Sequence, residues 1–376
     1  MSTVTSTAHP ELTALAESSL ALIVGLQDAS GAYPASPTFS AYRGYSWFRD
    51  GAFIADGVSS WGSAGVDSAS RFHDWCARIL LSRESQIAAI VAASGTDAPV
   101  ADSEMLPTRF TFDGLEGDDE WWDFQLDGYG TWLWAVVEHA RRHDLSLEPW
   151  GAAMALAVDY LVSSWDRPCF DWWEEHSEQV HVSTLGCIAA GLSAAIDSGM
   201  LSSGQQQSAT SAVEAIRELI DARGTVDGHL AKWLGASTVD ASLVSLVHPL
   251  DVFPASTPLG AATIEAIDTQ LCVDGGVHRF RADTFFGGGQ WPLLTCMLGL
   301  AYSAAGDRAR ALDLLAWAAS TVTAEGYLPE QGGGHLLDPS MEQEWIDRWG
   351  PVATPLLWSH AMFIRLAAEL GLGASR

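Results

Sequence analysis

Apolar residues recur along this chain at three- and four-residue intervals, the spacing that lines one face of an α-helix. The pattern predicts helices at about 11–27, 49–61, 66–92, 127–143, 148–164, 182–198, 204–221, 238–247, 257–270, 290–305, 307–322 and 354–371. Alanine and leucine dominate these segments and β-branched runs are short. The alternation of strand and helix that builds a parallel sheet is absent.

The links between the segments fall into two alternating kinds. "SSWGSAGVD", "DLSLEP", "DSGMLSSG" and "AAGD" are short and polar. The links near about 28–48, 93–126, 165–181, 222–237, 271–289 and 323–353 are long, and long ordered connections in a compact domain usually carry function. Each long link leads into an even-numbered helix. If successive hairpins run outward and inward, the even helices form an inner ring and all six long loops gather at one end. The expected fold is therefore all-α, an (α/α)6 barrel of twelve helices. An irregular bundle or an α-solenoid would use the same helices, but no residues repeat at the roughly 60-residue period a solenoid needs. One catalytic barrel domain over 1–376 is expected, with residues 1–10 as an N-terminal tail.

Composition narrows the partners. A net charge of −28 in 376 residues argues against nucleic acid and anionic membranes and leaves neutral ligands untouched. No apolar run reaches the roughly 18–20 residues of a membrane span. The start, "MSTVTSTAHPELTALAESSLALIVGLQD", lacks a basic region before its apolar stretch and reads as a first helix rather than a signal peptide. Cys76, Cys169, Cys187, Cys272 and Cys296 are odd in number and scattered. They suggest neither a disulfide framework nor a zinc ribbon, and fit reduced thiols in the cytoplasm. Lys232 is the only lysine. Nothing signals an oligomeric state.

The chemistry gathers on the long loops. The first ends "YSWFRDGAF", with Trp47, Arg49 and Asp50 where the second helix begins. The aspartate could simply cap that helix, or it could join the arginine in gripping sugar hydroxyls. The second ends "DDEWWDFQLDGYG", in which Asp127 has the same two readings. The third holds "DWWEEHSEQVH", with Trp172, Trp173, Glu174 and Glu175. The fifth holds "HRFRADTFFGGGQW", with Arg279, Asp283 and Trp291; no G-K-[ST] follows its glycines, so it is no phosphate loop. The sixth holds "GYLPEQGGGH", with Glu330. Tryptophan faces stack on pyranose rings, arginines and carboxylates bind their hydroxyls, and paired carboxylates flanking a bond are what glycoside hydrolysis requires. A metal site competes weakly, because His176 and His181 beside Glu175 lack the H-E-x-x-H pattern. No G-x-S-x-G occurs, and no cofactor or metal is expected.

Read in order, "YSWFRDGAF", "FQLDGYGTWLW", "DWWEEH", "VDASL", "RFRADTFFGGGQW", "LPEQ" and "TPLLWSHAMFIRL" resemble glycoside hydrolase family 15, the glucoamylase family, over about residues 11 to 370. The resemblance implies the same barrel and removal of glucose from non-reducing ends with inversion. It makes Glu174 the general acid and Glu330 the general base. Trp47, Arg49, Asp50, Trp173, Glu175, Arg279 and Trp291 become substrate-binding residues. Where family members carry a tyrosine beside the base's water, this chain has Arg43, with Tyr33, Tyr42 and Tyr45 nearby; Tyr33 is counted among the substrate-binding residues. The chain is most similar to the single-domain bacterial isomaltose glucohydrolase branch. That implies isomaltose and short α-1,6 gluco-oligosaccharides first, maltooligosaccharides second and trehalose third. A non-catalytic carbohydrate-binding or regulatory barrel is the alternative of another class, and the presence of both Glu174 and Glu330 counts against it.

Overall fold

A computed structural model describes residues 9–96, 98–121 and 124–373. Residues 1–8 of the expected tail lie outside them, and Pro10 already opens the first helix, where its missing N–H costs nothing. Fourteen helices occur among the described residues. Six of them, α2 (Phe48–Ser60), α5 (Asp127–His143), α7 (Val182–Asp197), α9 (Val244–Val247), α11 (Pro292–Ala304) and α14 (Leu357–Glu369), touch one another in that order. Contact between α14 and α2 closes the ring. Outside it lie α1 (Pro10–Leu26), α3 (Val66–Ser82), α6 (Glu148–Ser164), α8 (Ser203–Arg223), α10 (Pro258–Leu271) and α12 (Arg308–Ser320). The architecture is the (α/α)6 barrel.

Inner helices are apolar nearly all round because they are covered on both sides. Their backbones also approach closely. A Cβ on Gly191 of α7 would stand 2.2 Å from the carbonyl oxygen of Gly130 on α5, and one on Gly130 would stand 2.4 Å from that of Cys187. Only glycine allows this contact, so an alanine at either position would force the two helices apart.

Three expected boundaries differ. The single helix expected at 66–92 breaks at Arg83, giving α3 and α4 (Glu84–Ala93). Arg83 leaves helical geometry and lays its guanidinium 4.5 Å from the Phe110 ring while bonding the Gly114 carbonyl at 3.1 Å, which redirects α4 onto α6. The helix expected at 238–247 shrinks to α9 behind one 3₁₀ turn, because Asp240 folds its carboxylate back onto the Ser242 amide at 2.9 Å. The loop expected at 323–353 contains α13 (Glu342–Trp349). Its sequence, "EQEWIDRW", is too polar to suggest a buried helix, and only Trp345, Ile346 and Trp349 pack inward.

Short antiparallel ribbons brace the loops: β1 (Tyr45–Trp47) with β2 (Arg109–Thr111), β3 (Thr225–Val226) with β4 (His229–Leu230), and β5 (Cys272–Val273) with β6 (Gly276–Val277). The long loops enter the inner helices at their N-termini, so they share one end of the barrel. At the other end Asp56 of α2 accepts from Arg142 of α5 at 2.6 Å and from Arg365 of α14 at 3.0 Å. That clamp joins three inner helices. No helix among the described residues is long and apolar enough to cross a membrane.

Candidate active site

At the loop end, a cavity of about 160 Å³ opens on the axis of the inner ring. Trp47, Arg49, Asp50, Trp172, Trp173, Glu174, Glu175, Arg279, Trp291 and Glu330 all line it.

The third loop builds the turn that presents Glu174. One carboxylate oxygen of Asp171 accepts the backbone N–H groups of Trp173 and Glu175, both at 2.9 Å. Glu174, between them, takes a left-handed φ of 64°. A non-glycine residue held there costs of order 1–3 kcal/mol and persists only when its surroundings fix it. Its carboxyl accepts the indole N–H of Trp47 at 2.8 Å. Trp47 is fixed in turn by β1, paired opposite Arg109 of β2.

Glu330 stands on the sixth loop, its amide bonded to the Ala353 carbonyl at 2.9 Å. Tyr42 donates its hydroxyl to Glu330 Oε1 at 2.9 Å, while Oε2 has no partner in the protein. The Tyr42 and Trp47 rings meet nearly edge-on with centroids 5.5 Å apart. Two touching aromatics therefore link Glu174 to Glu330, one serving each carboxyl.

The arginines are held rigidly. Arg49 donates to Gln125 at 2.6 Å and Asp127 at 3.0 Å, and stands 3.4 Å from Asp50. Asp50 does not cap α2, since the cap position is Trp47; its carboxyl is free to face the cavity. Arg279 grips Asp283 with two N–H groups and stands 3.3 Å from Glu175. The rings of Trp173, Phe285 and Trp291 surround it at 5.1–5.4 Å.

Burial sets the electrostatics. It pushes Glu174 up to about 7, against the pull of Arg49 and the Trp47 hydrogen bond. It pushes Glu330 up to about 8, against the Tyr42 hydrogen bond and Arg279. Asp50 rises to about 6 despite Arg49, and Glu175 rises despite Arg279. Acids raised together in one apolar cleft can hold and exchange protons near neutrality.

Tyr33 is a correction. It is buried away from the cavity, its hydroxyl 2.7 Å from Ser68 and its ring stacked on Phe72. Arg43 is exposed, and Tyr45 donates to Asp119 at 2.6 Å. Of the four candidates beside the base, Tyr42 alone reaches Glu330. Sequence reasoning also passed over Gln125, although it sits inside the motif "FQLDGYG". It missed the aromatic rim of Phe39, Trp121, Phe285, Trp345 and Trp349, and Trp358 beneath it. Trp345 lies on α13, 4.9 Å from the Phe285 ring, so that unforeseen helix closes one side of the mouth.

Comparison with known proteins gives a consistent set of relatives. The model of a family described as "Glycosyl hydrolases family 15" matches residues 9–327. An isomaltose glucohydrolase of Kribbella flavida is 55% identical over 359 residues, 95% of this chain and 93% of that one. A solved glycosidase in which a glutamate is replaced by alanine, in complex with glucose, superimposes with a TM-score of 0.94 at 54% identity, covering 96% of this chain and 98% of its own. A family 15 glucoamylase from Hypocrea jecorina shares the fold at 16% identity and a TM-score of 0.67, over 98% of this chain and 72% of its own.

Proposed function

Because the chain belongs to glycosyl hydrolases family 15 and is an α-glucoside hydrolase, we propose that it removes single glucose units, with inversion, from the non-reducing ends of short α-gluco-oligosaccharides, isomaltose first. The observation that carries this reading is the pair Glu174 and Glu330, both lining one small cavity among fixed arginines and tryptophans.

Glu174, protonated, donates to the glycosidic oxygen as the bond from that oxygen to the anomeric carbon breaks. Glu330, ionised, takes a proton from a water that attacks the same carbon from the opposite face. Its unpartnered Oε2 supplies an acceptor for that water, and Tyr42 steadies the other oxygen. The turnover moves one proton from Glu174 to Glu330 and yields β-glucose. Arg49, Asp50, Glu175 and Arg279 hold the terminal glucose, and Trp47, Trp173 and Trp291 wall its ring.

Burial raises both carboxyls, to about 7 and about 8, so the pair can hold the one proton that the reaction passes on.

Preference for isomaltose is supported by the Kribbella flavida relative, and short chains suit a mouth narrowed by Phe285 and Trp345. Five unpaired cysteines support a reducing, cytoplasmic location. Released glucose from isomaltose, maltose, kojibiose, nigerose and trehalose should be greatest for isomaltose, and proton NMR early in turnover should show the β-anomer. Initial α-glucose, or internal fragments from an isomaltooligosaccharide, would overturn inversion or exo-action respectively.

A further inference from the structure

The fourth long loop gives the cavity no lining residue, yet it carries the single lysine of the chain, and that lysine is buried. We infer that Lys232 is a positioning residue for proton donation: lodged between Asp171 and Asp240, it holds the turn that aims Glu174 at the leaving oxygen. The inference rests on Glu174 being the general acid.

Lys232 Nζ lies 2.8 Å from Asp240 and 3.5 Å from Asp171, with the Phe280 ring centroid 3.3 Å away. Its backbone is pinned at both sides. The Lys232 amide donates to Thr238 at 2.8 Å, and its carbonyl accepts at 3.3 Å from Val182, the first residue of α7. The ammonium is thus a fixed charge under the third loop.

Each aspartate passes that charge on to the turn. Asp240 accepts the indole N–H of Trp173, at 3.0 and 3.1 Å from its two oxygens. Asp171 uses Oδ1 to accept the amides on either side of Glu174, while its Oδ2 makes no hydrogen bond. Both aspartates are 2% exposed. Without the lysine both buried carboxylates would lose the cation between them, and one would take up a proton or move toward water. The left-handed backbone of Glu174 would lose its anchors. Glu330 is held from the other side, by Ala353 and Tyr42. Loss of Lys232 should therefore fall on leaving-group protonation and spare water attack.

The test compares kcat on isomaltose, whose leaving oxygen needs a proton, with kcat on α-glucosyl fluoride, whose leaving group needs little. Lys232→Met in the full chain should lower kcat on isomaltose on the order of 10²-fold, the scale of a misplaced catalytic group, and on the fluoride far less. Adding Asp171→Asn should restore most of the isomaltose rate. An asparagine carbonyl still accepts both amides and removes one of the two charges, while Asp240 keeps its hydrogen bonds from Ser242 and Trp173. Equal losses on the two substrates, or no loss, would overturn the inference. If Lys232→Met fails to fold by circular dichroism, the double variant decides: it should fold with a near-normal ratio of the two rates, and a ratio still depressed overturns the inference. Glu174→Gln is measured beside them. If it shows no leaving-group dependence, the acid assignment itself fails. If it does and Lys232→Met does not, only the role of Lys232 fails.

Discussion

Asp56 and Glu330 are carboxyls buried to 1% and 2% exposure at opposite ends of the same barrel. Burial pushes both upward, but only Glu330 rises, to about 8; at Asp56 the paired guanidiniums of Arg142 and Arg365 overcome burial and hold the group below the ordinary carboxylate range. The same residue types thus give opposite outcomes. At the clamped end two fixed cations match the acid. At the loop end the arginines are already committed to Asp127 and Asp283, and the acids facing the cavity are left partly unmatched. What separates a structural acid from a chemical one here is whether the fold itself completes its partners.

Glu174→Gln keeps the shape but cannot donate, and Glu330→Gln cannot accept, so each should cost on the order of 10²–10⁴-fold in kcat. Glu174→Gln should recover part of the loss on an activated aryl or fluoride glucoside, and Glu330→Gln should not. Glu175→Gln removes a contact near Arg279 and should raise KM without any such recovery. Recovery in Glu175→Gln instead would move the acid by one residue.

Asp56→Asn attacks the other end. Removing one partner of a buried ion pair costs about 3–5 kcal/mol, so urea unfolding should shift by that order while kcat on isomaltose stays unchanged. Acid adds a signature. The contribution of Asp56 is present above its ordinary pKa of 3.8 and is lost as pH falls through its depressed folded value. Glu330 has the reverse sign. Between its ordinary 4.5 and about 8 the folded protein keeps a proton that the unfolded chain has released, so stability falls as pH rises across that window. Glu330→Gln should therefore be more stable than the parent protein at pH 9, by a margin that shrinks toward pH 4. A loss of stability at pH 9 would mean that Glu330 is matched like Asp56.

Rate against pH sharpens the contrast further. In the proposed mechanism the active enzyme carries one proton between Glu174 and Glu330. With the two raised to about 7 and about 8, kcat/KM should be bell-shaped, falling below about 7 as both are protonated and above about 8 as both ionise. A flat profile across this range would remove the shared proton from the mechanism.

Much of this was legible in the chain itself, for a physical reason. Apart from the four-residue α9, the inner helices are covered on both sides and carry long apolar runs, and the six long loops stand out because a compact barrel has no other use for them. Arg49, Asp50, Glu174 and Glu330 stand out because their residue types carry the chemistry, and the fold brings all four to one cavity. What stayed hidden depends on contacts between loops. Arg83 breaks a helix to reach Phe110 and Gly114, and α13 packs through Trp345, Ile346 and Trp349, contacts its polar sequence does not announce. Gln125 meets Arg49 and Lys232 meets Asp171 across loops, so no local spacing marks them. Choosing among Tyr33, Tyr42 and Tyr45 required knowing which hydroxyl meets Glu330.

That choice supplies the smallest and most selective prediction. Tyr33→Phe and Tyr42→Phe delete the same atom. Tyr33 gives its hydroxyl to a buried contact with Ser68 at 2.7 Å and its ring to Phe72, and phenylalanine keeps the ring. Ser68 still donates to Gln27 at 2.8 Å, so the loss is one neutral hydrogen bond, about 1 kcal/mol. Stability should drop by that amount, with kcat, KM and the pH profile unchanged. Tyr42→Phe removes the hydrogen bond that draws Glu330 downward. Glu330 should then be harder to ionise, so kcat should fall and the limb of the bell that Glu330 sets should move to higher pH. If Tyr33→Phe moves that limb and Tyr42→Phe does not, the two tyrosines have exchanged roles, and the hydrogen bond from Tyr42 to Glu330 is not the one that supports the attacking water.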